Sequence, residues 1–201
     1  MIIVVDYGLG NLGSVENMLR RIDVPSKISS NFSDIASAKK IILPGVGAFD
    51  AAMVRINESG LRAVLDRKAL EDKVPILGVC LGMQLLTEGS EEGSVPGLGW
   101  IKARTKRFPK HAELKVPHMG WNTVRVCNPS DLTDGFDGEE RFYFVHSYYV
   151  SVDDEKNSIL RTKYGTCFDS GIKMNNIYGL QFHPEKSHKY GMKILSNFAR
   201  I

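Results

Sequence analysis

Residues 74–84, Val74-Pro75-Ile76-Leu77-Gly78-Val79-Cys80-Leu81-Gly82-Met83-Gln84, decide the fold. Val74 to Val79 is an apolar run of strand length, and it passes without a polar spacer into Cys80. Leu81 to Glu88 then has the composition of a helix. A strand apolar on both faces belongs in a sheet that is covered on both sides. A strand that feeds directly into a helix is the building unit of a parallel sheet.

The same alternation recurs toward the N-terminus. Ile2 to Val5 reads as a first buried strand, and Lys40 to Leu43 as a second, closed by Pro44-Gly45. Asn11 to Ile22 reads as a helix with Asn11 at the N-cap and Leu12, Val15, Met18, Leu19 and Ile22 on one face. Gly60 to Leu70 is amphipathic at helical spacing. The expected class is α/β: a flavodoxin-like open, mostly parallel sheet with helices on both faces. Toward the C-terminus the pattern changes. Trp100 to Phe108, Asn122 to Cys127, Arg141 to Val150 and Ile177 to Phe182 are strand-like between turn-rich segments, and Lys189 to Ala199 is a closing helix. These strands are expected as antiparallel or mixed additions to the same sheet. The chain shows no repeat, low-complexity tract or linker, so residues 1–201 are expected to form one domain.

Composition excludes several classes of function. A net charge of +3 is too small to mark nucleic acid or an anionic membrane as a partner. No apolar run approaches the roughly 20 residues of a membrane span. Met1 to Val5 is apolar but lacks a preceding basic region, and it reads as a strand rather than a leader. The three cysteines, Cys80, Cys127 and Cys167, are widely spaced and form no CxxC pair, so neither a metal nor a redox cofactor is expected. A reduced, cytoplasmic setting follows as the expectation.

Gly78-Val79-Cys80-Leu81-Gly82 has the pattern of a nucleophile elbow in its cysteine form. A nucleophile on a tight strand-to-helix turn needs small residues two before and two after it. The N–H groups of the following helix then face the sulfur, a favourable place for an anion. The amide of Leu81 is placed to meet a developing oxyanion. The plainer reading makes Cys80 a small buried hydrophobe ending a strand. Cys127 and Cys167 lack such flanks and read as structural. A nucleophilic cysteine also needs a base. Of the histidines His111, His118, His146, His183 and His188, His183 lies just after an apolar strand, with Pro184 to stiffen the turn and Glu185 two residues on. Glu185 can then orient one imidazole nitrogen and leave the other for the thiol. The candidate triad is Cys80, His183 and Glu185.

With these residues in place the chain resembles the class I, triad-type glutamine amidotransferases. In that family Gly-x-Cys-x-Gly-x-Gln, here Gly78 to Gln84, carries the nucleophile and His-Pro-Glu completes the triad. Met1-Ile2 offers no N-terminal cysteine, against the other amidotransferase class. The resemblance is closer to the family of glutaminase subunits of imidazole glycerol phosphate synthases. It rests on Asp6 to Leu12, Pro44 to Phe49, Gly78 to Leu86, Pro117 to Asn122 and Gln181 to Ser187. It implies that Gly45, Val46 and Gly47 complete the oxyanion hole with Leu81. It further implies that Gln84, Glu92, Ser147 and Tyr148 bind glutamine, with Glu92 on the α-ammonium and Ser147 and Tyr148 on the α-carboxylate. Without the resemblance, Glu92 reads as part of a solvated acidic loop. Pro117 to Asn122 is read as a partner-facing or oxyanion-supporting loop with Trp121 packed; nothing makes His118 a catalyst, and His146 is read as structural or near the substrate carboxylate rather than as the base.

The resemblance also implies a partner: a (β/α)8-barrel cyclase subunit in a heterodimer, receiving ammonia for imidazole glycerol phosphate in histidine biosynthesis. Lys186, Ser187 and Trp121 would lie at that interface and ammonia exit, and the partner would activate hydrolysis by shifting the oxyanion loop toward its active form. Related subunits that supply ammonia for sugar amidation carry the same motifs, so the acceptor stays open at this level. A rival of another class is Gly8-Leu9-Gly10-Asn11-Leu12-Gly13, a literal G-x-G-x-x-G with Asp34 beyond it at the distance of a ribose-binding acid. Asp6-Tyr7 before the first glycine and Asn11 as N-cap count against a dinucleotide site. A tight turn near the active site is the simpler reading.

Overall fold

The computed structural model describes residues 1–109 and 114–201, so His111 lies outside the described residues. The first half builds β1 (Ile2–Val5), α1 (Leu12–Arg21), β2 (Ser26–Ser29), α2 (Phe32–Ser37), β3 (Lys40–Gly45), α3 (Phe49–Glu58), α4 (Leu61–Asp66), β4 (Ile76–Cys80) and α5 (Leu81–Leu85). The second half adds β5 (Ala103–Arg107), β6 (His118–Thr123), β7 (Arg125–Val126), β8 (Arg141–His146), β9 (Tyr148–Val152), β10 (Ser158–Tyr164), β11 (Thr166–Met174), β12 (Ile177–Leu180) and α6 (His188–Arg200).

The main sheet runs β2-β1-β3-β4-β12-β11-β10-β7. Its first five strands are parallel, and β11, β10 and β7 continue it antiparallel. Strands β9 and β5 branch from β11. Alternate residues of the parallel strands enter opposite cores, as the pleat requires. Ile3, Val5, Ile41, Leu43 and Ile76 pack with α3 and α4 through Phe49, Met53, Ile56 and Leu65. Ile2, Val4, Ile42, Leu77 and Val79 pack with α1 and α6 through Val15, Leu19, Ile194 and Phe198. The α/β class, the mostly parallel sheet and the helices on both faces are therefore as expected.

Several details differ from the sequence reading. The sheet's edge strand is β2, Ser-Lys-Ile-Ser, which was hidden because only Ser29 is buried and an edge need not be apolar. Helices α2 and α3 were not anticipated. The helix expected over Leu81 to Glu88 stops at Leu85, where the Thr87 hydroxyl turns back to the carbonyls of Gln84 and Gly89. Past Asp66 the helix expected over Gly60 to Leu70 widens to a π-turn over Arg67–Glu71.

Asn122 to Cys127 and Arg141 to Val150 each split between two sheets, because β6 and β8 form a separate two-stranded sheet. Strand β12 is parallel to β4 and so belongs to the main sheet's parallel half. Strands β10 and β11 escaped notice because their buried residues include polar ones. Asp169 accepts from Ser158 Oγ, Arg161 Nε and the Val152 amide, and Thr162 donates to Ser170. Satisfied in this way, polar side chains can occupy a strand interior.

Topology sets the position of the site. Gly45 pairs with Cys80, and Leu180 with Val79, at the carboxyl ends of adjacent parallel strands. The chain past β12 reaches His183 within three residues of Leu180. Open α/β sheets bind ligands at this edge.

Candidate active site

Cys80 occupies φ 55° and ψ −110°, a conformation that L-residues avoid. The surrounding sequence over-determines it. A Cβ on Gly78 would lie 2.6 Å from the Gly82 carbonyl oxygen, and one on Gly82 would lie 1.8 Å from that of Leu43. Strand β3 and the elbow are packed backbone to backbone, which only glycine permits. Because α5 spans just Leu81–Leu85, its contribution to an anion at the sulfur comes from the first amides rather than from a long helix. Tyr7, two residues past β1, supports the elbow. Its hydroxyl donates to the Pro44 carbonyl at 2.7 Å, and burial, then the neighbouring Cys80, pushes its phenol pKa up. Gly45 lies against that hydroxyl, where a Cβ would come within 2.3 Å of Tyr7 Oη.

His183 and Glu185 approach from the turn after β12. Nδ1 of His183 bonds Glu185 Oε1 at 2.8 Å, and both side chains are almost wholly buried. Pro184 starts the single 3-10 turn, Pro184–Lys186, that brings the carboxylate back under the ring. Backbone bonds fix the histidine. Its N–H donates to the Tyr143 carbonyl at 2.9 Å, while Ser187 Oγ donates to its carbonyl at 2.6 Å and accepts from the Tyr143 N–H at 3.0 Å. Burial alone pushes the imidazole down. Hydrogen bonding to Cys80 and then to Glu185 outweighs it, and the pKa of His183 is raised to about 10. The imidazole is thus held as a proton donor at neutral pH. Glu185 Oε2 is buried without a hydrogen-bond partner among the described residues.

A cleft of about 350 Å³ opens over Cys80. Val46, Gly47 and Leu81 line it on the side of β3 and the elbow, with Gly47 at φ 110°. Gln84, Glu92, Ser147, Tyr148, His183 and Lys186 are also in its lining. Glu92 is no free loop residue. Its Oε2 accepts from the Phe49 amide at 3.0 Å in the first turn of α3, and Asp50 returns the link through the amides of Ser94 and Val95. Gln84 spends both hydrogens of its amide inside, on the Tyr148 carbonyl and on Gln181 Oε1, each at 3.2 Å. A carboxylate and an ammonium therefore flank a cleft with a sulfur at its base, which suits a zwitterionic amino acid.

Gly45, Glu185, Ser187 and Trp121 stay outside the lining. Gly45 is buried at the end of β3, just before Val46 and Gly47, and the Glu185 carboxylate is bonded to His183. Ser187, expected at the interface and ammonia exit, is wholly buried, so its observed work is to clamp His183. Trp121, expected to be packed in a loop, is 46% exposed on strand β6, where its ring stacks on His188 at 5.6 Å. Lys186 is exposed at the mouth, with Nζ 5.9 Å from the Tyr143 ring centre.

Pro117, Val145 and His146 complete the walls and were not among the predicted site residues, although His146 was expected to be either structural or near the substrate carboxylate. His146 and His118 bond one another at 2.9 Å, and burial lowers their pKa values to about 3 and about 4. Neither can serve as a cationic acid at neutral pH. The groups of the glycine-rich rival motif are engaged within the protein itself. Asp34 bonds Lys27 at 2.7 Å and Ser29 at 2.6 Å, Arg55 donates to the Gly8 carbonyl, and Gly10 lies beside the backbone of Pro44 and Gly45.

Residues 3–201 match the family model described as glutamine amidotransferase class-I. Imidazole glycerol phosphate synthase subunit HisH 2 of Methanococcus maripaludis is 48% identical over all of this chain and 99% of its own length. Subunit HisH of Bdellovibrio bacteriovorus is 46% identical, with both chains covered completely. A solved glutamine amidotransferase superposes with a TM-score of 0.77 over the full length of both chains at 18% identity, a likeness of fold.

Proposed function

The chain belongs to the class I glutamine amidotransferases, and on that premise we propose that Cys80, His183 and Glu185 form the triad that hydrolyses glutamine. Its kinship with the HisH subunits makes it the glutaminase subunit of an imidazole glycerol phosphate synthase, acting in histidine biosynthesis. The observation that carries the triad is the strained Cys80 elbow facing an imidazole whose far nitrogen is bonded to a buried carboxylate.

The Cys80 thiolate attacks the side-chain carbonyl carbon of glutamine, opposite a protonated His183. The tetrahedral oxyanion is met by backbone amides of the Val46-Gly47 segment and Leu81. Collapse breaks the C–N bond as His183 gives its proton to the nitrogen, releasing ammonia and leaving a glutamyl thioester on Cys80. Neutral His183 then takes a proton from water, whose oxygen attacks the thioester. Glutamate leaves, and the thiolate–imidazolium pair is restored. Glu185 holds the ring's tautomer throughout. Glu92 takes the α-ammonium of glutamine, Ser147 and Tyr148 its α-carboxylate, and Gln84 offers the acceptor oxygen left after its internal bonds.

Ammonia released into water becomes ammonium and is lost as a nucleophile, so the reading includes a cyclase subunit, a (β/α)8 barrel, seated over the cleft mouth at Lys186 and Trp121. Residues 1–201 act as one domain in this heterodimer. No described helix is long and apolar enough to cross a membrane, and a biosynthetic enzyme of this kind is proposed to work in the cytoplasm. The deciding measurement is glutamate release with and without a cyclase subunit and its nucleotide substrate. Turnover should rise when both are present and vanish in Cys80→Ala. Normal hydrolysis by Cys80→Ala overturns the triad, and equal rates with and without the partner overturn the coupling.

A further inference from the structure

We propose that Gln181 is the side chain that holds the Cys80 sulfur from behind the cleft, and that the Tyr148 carbonyl sets its orientation through Gln84 while the chain Asn122–His118–His146 holds that carbonyl in place. The proposal rests on Cys80 being the nucleophile. Gln181 is fully buried at the end of β12, a place where an uncommitted carboxamide is costly. Its Nε2 points at Cys80 Sγ from 3.9 Å, and its Oε1 accepts from Gln84. The Val145 carbonyl, also 3.9 Å from the sulfur, can only accept. Once the sulfur is an anion, Gln181 is therefore the side-chain donor from behind the cleft, in addition to His183, and long contacts of this kind tighten when charge develops.

The polarity of the whole chain follows from one carbonyl. The Tyr148 oxygen can only accept, so His146 Nδ1 donates to it at 2.7 Å. His146 Nε2 is then an acceptor, and His118 Nδ1 donates to it at 2.9 Å. His118 Nε2 accepts in turn from Asn122 Nδ2 at 3.2 Å, which also donates to the Lys163 carbonyl. On its other side the Tyr148 oxygen accepts from Gln84 Nε2, whose second hydrogen goes to Gln181 Oε1. With its oxygen engaged, Gln181 can turn only its N–H toward the sulfur. Each link has one donor and one acceptor provided both histidines are neutral, which is the state their burial favours. The stacks of His118 on Tyr164 at 3.9 Å and on Phe144 at 4.7 Å fix its ring.

The experiment follows iodoacetamide alkylation of Cys80 against pH, read by mass at the Cys80 peptide because Cys167 is exposed. Glutamine turnover with the cyclase partner is measured in parallel. The titratable groups around the sulfur are Tyr7 behind it, His183 with Glu185, His146, and Glu92 and Lys186 at the rim, and the variants leave all of them in place. Gln181→Met keeps the volume and removes the donor. It should move the midpoint of alkylation up by about one pH unit and lower kcat about tenfold, with KM for glutamine within about twofold. His118→Phe should act in the same direction by about threefold and add nothing to Gln181→Met. A wild-type midpoint and kcat in Gln181→Met overturns the proposal, as does a change confined to KM. Should that variant fail to fold, Gln181→Glu, which faces the sulfur with a carboxylate, must raise the midpoint, and an unchanged midpoint is equally fatal. Hydrolysis by Cys80→Ala would instead strike the triad itself, so the two failures are distinct.

Discussion

Two buried histidines line the same cleft, and their chemistry diverges. His183 sits on the turn after β12 with a carboxylate 2.8 Å from Nδ1, and its pKa is raised to about 10. His146 sits at the end of β8, bonded to a carbonyl and to another imidazole, and its pKa is lowered to about 3. Burial penalises the cation at both. What differs is the partner: an anion offsets the penalty, whereas a neutral dipole does not. The same residue type is thus a proton donor beside the cysteine at one site and a neutral hydrogen-bond relay at the other.

The largest expected effect comes from exchanging the roles. His183→Asn should lower turnover by at least about a thousandfold, because both proton transfers lose their carrier. His146→Asn should cost far less, about tenfold, through misplacement of Tyr148 and Gln84. Comparable losses in glutamate release from the two variants would erase the distinction.

Next in size is Glu185→Gln, expected to cost about a hundredfold. It removes one of the two interactions that raise His183, so the alkaline limb of the rate profile should move to lower pH. The sign for stability follows. A folded pKa of about 10 against 6.5 for the free imidazole makes the contribution full below pH 6.5, and it is lost as pH rises through 10. An alkaline limb that stays in place in Glu185→Gln would separate His183 from the profile.

The other site has the opposite linkage. His118 and His146 have folded pKa values below 6.5, so the unfolded chain binds more protons below that pH. Their contribution is full above pH 6.5 and is lost as pH falls toward 4 and 3. Melting temperature should therefore drop by a few degrees between pH 6.5 and 4, and the doubly substituted His118→Gln, His146→Gln chain should show a flatter slope. Parallel slopes would mean that other groups carry the acid sensitivity.

The two sites were also unequally legible in the sequence. Cys80, His183 and Glu185 lie in short motifs where glycine and proline mark the turns, and local chemistry suffices to pair them. The parallel half of the sheet was readable because strands covered on both faces are continuously apolar. The edge strand Ser26–Ser29 and the paired strands β10 and β11 were not, since their polar residues are reconciled with a strand only by partners distant in sequence, such as Asp169 with Ser158. The His118–His146 bond joins residues 28 apart through the pairing of β6 with β8, a register that no local pattern announces. Gln181 lay within a quoted motif without an assigned task, because its task exists only through Gln84 and Cys80.

Ser187 gives the smallest expected effect and the finest division between the two sites. Aromatic stacking fixes the His118 ring, whereas backbone bonds fix His183, and Ser187 supplies two of the contacts about that turn. Ser187→Ala leaves the His183 carbonyl and the Tyr143 N–H without this hydroxyl, although the Tyr143 carbonyl still holds the His183 N–H. The loss should be about 1 kcal/mol of stability, the ordinary net worth of such bonds. Hydrolysis should fall by less than about threefold, with the transfer of ammonia to the cyclase falling in the same proportion. A variant of unchanged stability that hydrolyses glutamine normally but fails to deliver ammonia would return Ser187 to the exit path. Matched small losses in stability and hydrolysis would leave it as the clamp that keeps the His183 site rigid.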